Sequence, residues 1–217
     1  KDPEMYQFWV RQRSEGWKAQ GVDRPLTSLE AAGYTSLYAY RYDWNDQKDS
    51  FLIKFSEVLG AAHASEISFI QGKAMYGPIG SYMYPDTESA ADMTDIMMTA
   101  WGNFARNGAP GAVKDSPWAP YSALAPHYMV LDSLGQHSLR ADAASIDQIL
   151  ATVAESTLLS DHERCILAWE LSTALGDPAY GAYQRWNGGE CANTDVRALR
   201  KTIRESLEEE FGSASVL

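Results

Sequence analysis

Long hydrophobic runs are missing from this chain. No stretch of about 18 apolar residues occurs, so no segment is long and apolar enough to cross a bilayer as a helix. Cysteine is scarce: Cys165 and Cys191 alone exclude a cysteine-based metal cluster. They leave two readings open, one disulfide as in an exported protein or two buried thiols as in a cytosolic one, so no compartment follows. Basic residues are outnumbered, 18 Lys and Arg against 29 Asp and Glu, for a net charge of −11. Such a chain offers no basic patch to release counterions from a nucleic-acid backbone. Of the four histidines, no pair has metal-ligand spacing with a carboxylate, so no metal is expected. Gly77-Pro78-Ile79-Gly80 lacks the lysine and the spacing of a phosphate loop, and no cofactor is expected.

What is present points to chemistry on a folded scaffold. Hydrophobic residues make up 45% and aromatics 12% of 217 residues, enough for one domain with a sizeable core or for one domain plus a helical annex. His63 stands in a small-residue stretch, Leu59-Gly60-Ala61-Ala62-His63-Ala64-Ser65-Glu66-Ile67. A histidine in such a turn, with an acid three residues on, suits a general base held on a loop. A base needs a nucleophile, yet no G-x-S-x-G occurs, so the strained turn that presents a nucleophilic serine is not in this chain. His127 precedes a strand, His137 sits in a polar turn and His162 opens a helix, positions that call for no chemistry.

The pattern places these residues on elements. Residues 3–20 read as a helix, with Pro3 in its first turn and acids at Asp2 and Glu4. Leu37–Trp44 reads as a strand whose Tyr38, Tyr40, Tyr42 and Trp44 share one face. The loop beyond it, through Phe51-Leu52-Ile53, carries His63, as reactive groups do beyond the carboxyl ends of strands in open α/β sheets. Met93, Ile96, Met97, Ala100, Trp101, Phe104 and Ala105 repeat at helical spacing, with Thr87 as N-cap and Asn107-Gly108 as stop. This stripe is core packing behind the sheet. A short strand, Tyr128–Leu131, ends at Asp132. Beyond about residue 142 the character changes. Ser160 and Glu163 form a capping box, Asn187-Gly188-Gly189 breaks the chain, and Asp195 opens a last helix with Val196, Leu199, Ile203, Leu207 and Phe211 on one face. That helix carries cations early and acids late, against its dipole, and needs tertiary packing to persist.

Three stretches together resemble the type B carboxylesterase and cholinesterase-like family, in its bacterial branch. Val22-Asp23-Arg24-Pro25 through Leu37–Trp44 is similar to the family's last major strand and its approach. Gly60 to Ile67 resembles the histidine motif G-x-x-H-G-x-[DE]-[IL]. Met93 to Gly108, then Trp118-Ala119-Pro120-Tyr121 and Met129-Val130-Leu131-Asp132, resembles the ending W-x-N-F-A-R-x-G…W-P-x-Y…L-D. The motif departs at Ala64, where the family has glycine. With a negative φ at that residue the change is harmless and with a positive one it costs about 1 kcal/mol; since alanine is the smallest substitute, a harmless change is expected.

The resemblance implies an α/β fold: residues 1–141 as the C-terminal part of an α/β-hydrolase, the last sheet strands with packing helices, and residues 142–217 as a helical extension. It implies a carboxylic ester hydrolase acting through an acyl-enzyme. His63 is then the triad histidine, while the nucleophilic serine and the acid belong to an N-terminal part of the same protein, upstream of residue 1. Glu66 is assigned to stiffening the histidine loop, since a side chain three residues along one turn points poorly at the ring. Leu59, Ala62 and Ser65 flank the histidine and line the pocket for a small-molecule ester. Two other classes stay open. One is a non-catalytic cholinesterase-like adhesion module, against which the retained His63 argues. The other is an interaction domain ending in an amphipathic helix.

Overall fold

Alternating tyrosines on a short strand need a partner surface, and one long helix supplies it. The computed structural model describes residues 3–73, 77–173 and 180–211. In chain order the elements are α1 (Pro3–Lys18), a π-helical turn (Ala19–Asp23), α2 (Arg24–Ala31), β1 (Tyr40–Tyr42), α3 (Phe55–Val58), α4 (Ile67–Gln71), α5 (Gly80–Met83) and α6 (Glu88–Asn107). Next come β2 (Ala112–Val113), β3 (Ser116–Pro117), β4 (Tyr128–Leu131), β5 (Ser138–Arg140), α7 (Ile146–Ala154), α8 (Asp161–Thr173), α9 (Tyr180–Arg185) and α10 (Val196–Phe211). They gather into two compact units, Leu26–Asp142 and, separately, Lys1–Pro25 with Ala143–Leu217.

In the first unit β1 pairs parallel with β4, Tyr40 opposite Met129 and Tyr42 opposite Leu131, and β4 pairs antiparallel with β5. All four residues of β4 are buried, as a middle strand requires. The expected aromatic stripe is there. Tyr38 meets Phe104 edge-on at 6.0 Å, Tyr40 meets Trp101 at 5.0 Å and Trp44 meets Phe69 at 4.8 Å. Met93 and Met97 of α6 are fully buried in the same core, and each such side chain contributes about 1.5–3 kcal/mol by leaving water. Helix α6 starts and stops where its sequence says: the Thr87 hydroxyl accepts from the Ala90 amide, and Gly108 closes it at φ 73°.

The strand is shorter than Leu37–Trp44, because its ladder ends where its partner does. The Leu37 carbonyl accepts instead from the Tyr121 amide at 2.7 Å, and that of Ala39 also takes the Trp118 indole N–H at 3.0 Å. Helix likewise runs past residue 20. Pro25 has no N–H for an α-type bond, and just before it the ladder slips to a π register, with the Arg24 amide on the Ala19 carbonyl.

The second unit packs around α8, where Cys165, Leu167, Ala168 and Leu171 are buried. Gly16 of α1 lies so close to Leu171 that a Cβ there would overlap its Cδ2. The cysteine question resolves as a disulfide, Cys165–Cys191, spanning 26 residues. Beside it, Glu190 Oε1 accepts from Arg164 Nε at 3.0 Å and Nη2 at 2.8 Å. The capping box at Ser160 and Glu163 is present, and a second one, Ser145 with Gln148, opens α7, a helix the periodicity reading passed over. Helix α10 is packed only over its first turns: Val196 is buried and the Arg200 guanidinium lies 5.1 Å from the Trp169 ring centre, while Ile203, expected on its apolar face, is exposed. The side chains of Leu207 and Phe211, expected on its apolar face, lie outside the described residues.

Candidate active site

Beyond the carboxyl end of β1 the chain runs through α3 to a turn at residues 63–66 and then enters α4. His63 is exposed on that turn. Five hydrogen bonds fix its surroundings. Gln47, itself buried, donates to the Gly60 carbonyl at 2.7 Å. The Ser65 hydroxyl donates to the Ala62 carbonyl at 2.6 Å, which the Ser65 amide also reaches at 3.1 Å. The Tyr84 hydroxyl donates to the Ser65 carbonyl at 2.6 Å, and the Tyr40 hydroxyl makes a long bond of 3.5 Å to Glu66 Oε1. Burial, and then the neighbouring Glu66 carboxylate, push the Tyr40 phenol up to about 12, so it stays a donor at neutral pH.

Helix α4 locks the far end of the turn. The Phe69 ring is 2% exposed and sits between Trp44, Tyr42 and Tyr84, at 4.8, 6.3 and 5.2 Å. Gly72 caps α4 at φ 63°, where a Cβ would press on Met98 Sδ of α6.

The expected site residues fall unevenly. His63, Ala62, Ser65 and Glu66 come together in one turn, and Leu59 ends the short α3 before it, 39% exposed. Ser65 is 2% exposed and spends its hydroxyl inside its own turn. Ala64 overturns the expectation of a harmless substitution. Its φ is 67°, in the left-handed region where a Cβ costs about 1–2 kcal/mol. An open groove of about 580 Å³ runs along α6 past Thr94, Asp95, Met98 and Arg106, none of them in the histidine turn.

Sequence reasoning missed Tyr40, Gln47 and Tyr84 as holders of this turn. Tyr40 was assigned to packing, and it packs against Trp101 while its hydroxyl reaches Glu66. Gln47 and Tyr84 carry no motif, and only their placement reveals them. It also missed His137, whose Nε2 lies 3.2 Å from Asp92 Oδ2. Among the described residues, no group of three or more His, Cys, Asp or Glu could hold a metal ion.

An exposed imidazole on a fixed turn beyond a parallel strand can exchange protons with a bound molecule. The model of the carboxylesterase family matches residues 21–147, more than half of the chain, and this chain belongs to that family. The match takes in the whole His63 turn, α6 and β4. A search of curated proteins found no match.

Proposed function

We propose that the chain is the C-terminal part of a serine carboxylesterase with the α/β-hydrolase fold, of the bacterial type, and that His63 is its general base. Membership of a family of ester hydrolases supports the reaction class. The observation that carries the residue assignment is the exposed His63 on a turn held by bonds from Gln47, Tyr40 and Tyr84, inside the matched span. In this reading His63 takes the proton of an upstream serine hydroxyl as its oxygen attacks the ester carbonyl. It then returns the proton to the departing alcohol, leaving the acyl-enzyme, and repeats both steps with water. An upstream acid holds the imidazole tautomer, and Glu66 stiffens the turn. Leu59 and Ala62 flank the ester while the buried Ser65 holds the turn rather than lining the pocket, residues 1–141 belong to the catalytic domain, and 142–217 form its helical extension.

The test is His63→Ala in the complete protein, read on a short activated ester. Turnover should fall at least about a thousandfold, as when one member of a triad is removed, with thermal stability changed by less than about 1 kcal/mol because the side chain is exposed. A small rate loss with a large stability loss would make His63 a structural residue. A complete protein without hydrolysis would point to an adhesion module.

A further inference from the structure

Ala64 holds φ 67°, a conformation that alanine keeps only where its surroundings impose it. Within the turn, the Ala62 carbonyl accepts from both the amide and the hydroxyl of Ser65. From outside, the Tyr84 hydroxyl donates to the Ser65 carbonyl at 2.6 Å, across 19 residues of sequence. Tyr84 is anchored outside the turn, against the helix that follows the turn. It follows α5, and its ring meets Phe69 edge-on at 5.2 Å, in the core cluster that also holds Trp44 and Met97. Returning Ala64 to a negative φ would swing Ser65 and break all three bonds. The turn thus stays in its strained form because its own bonds and a half-buried phenol packed against the core hold it there.

We propose that Tyr84 is a positioning residue for ester hydrolysis, acting on His63 through Ser65 and the left-handed Ala64. The proposal rests on the reading of His63 as the general base. With glycine at position 64 the left-handed form costs almost nothing, so the external hold should matter much less. That coupling separates positioning from ordinary structural support.

The experiment compares Tyr84→Phe in the native background and in an Ala64→Gly background, in the complete protein, with p-nitrophenyl acetate as substrate. In the native background kcat should fall about ten- to hundredfold, as when a partner that orients a reacting group is lost, with KM within about twofold. In the Ala64→Gly background the same change should cost less than about threefold. Amide exchange at Ser65 and Ile67 should quicken in Y84F and recover in the double variant. Equal kcat losses in both backgrounds, a loss confined to KM, or exchange unmoved by Y84F would each overturn the proposal. Hydrolysis surviving His63→Ala would sink the reading of His63 as general base and with it the catalytic meaning of Tyr84. The exchange data tell that outcome apart from failure of the hold itself.

Discussion

His137 Nε2 lies 3.2 Å from Asp92 Oδ2, while its Nδ1 accepts the Asp132 amide at 3.2 Å. With Nδ1 accepting, the ring proton sits on Nε2 and points at the carboxylate. Both side chains are nearly out of solvent, at 4% and 9% exposure. Lys114 Nζ pairs with the other carboxylate oxygen. One buried carboxylate on α6 therefore ties down the loop after β4 and the hairpin that carries Lys114.

Asp92→Ala should cost about 3 kcal/mol in urea unfolding, because it strips a buried imidazole of its partner. The pair also sets an acid dependence. Burial works against ionising Asp92, but the bonds from Lys114 and His137 and the charge of Lys114 outweigh it and hold the carboxyl below its usual range. A depressed folded pKa gives stability that is complete above the ordinary carboxylate value of about 3.9 and lost as pH falls through the folded one. Asp92→Asn should remove that part of the loss. Identical acid unfolding curves for the two proteins would show that Asp92 contributes none of it.

Legibility in the sequence tracked the range of the interaction. Helix α6 was legible because its repeat, its Thr87 cap and its Gly108 stop are all local. The tyrosine stripe was legible for the same reason, but the length of β1 depends on β4, about ninety residues on, and read too long. His63 stood out through its neighbours and the family motif. His137 read as a polar-turn residue because its partner, Asp92, is 45 residues away. Helix α7 was missed although Ser145 and Gln148 spell a local capping box, so that signal was available. The sign of φ at Ala64 had a signal in the glycine that the family motif carries there, since glycine tolerates positive φ, but alanine at that position masked it.

Ala64→Gly should stabilise the protein, the reverse of the usual effect of glycine. The left-handed conformation costs alanine about 1–2 kcal/mol, and the extra freedom of glycine in the unfolded chain takes back part of that. A net gain of about 1 kcal/mol in chemical denaturation is expected. A loss of stability would mean the turn relaxes to negative φ in solution.

Removing the Cys165–Cys191 bond should cost about 3–4 kcal/mol on loop-closure grounds, given a 26-residue span. Both cysteines are buried, so a Cys165→Ala and Cys191→Ala pair also empties part of the core around α8. The measurement is thermal unfolding of both forms with and without dithiothreitol. Reductant should lower the melting point of the native protein only. The Arg164–Glu190 pair alone does not replace the covalent link, since partly exposed ion pairs contribute about 1 kcal/mol or less.

Glu66→Gln separates holding the turn from orienting the imidazole. The amide keeps the shape of the side chain and an oxygen that Tyr40 can still reach, so the turn should persist with weaker support. A ten- to hundredfold loss of turnover on a short ester is expected, about what loss of an orienting partner costs. Removing the acid that directly holds a triad histidine costs about ten-thousandfold. Turnover of Glu66→Gln, measured beside His63→Ala in the complete protein, decides between the two roles. A loss as large as that of His63→Ala would place the Glu66 carboxylate on the imidazole itself, and the acid would then lie within this turn rather than upstream of it.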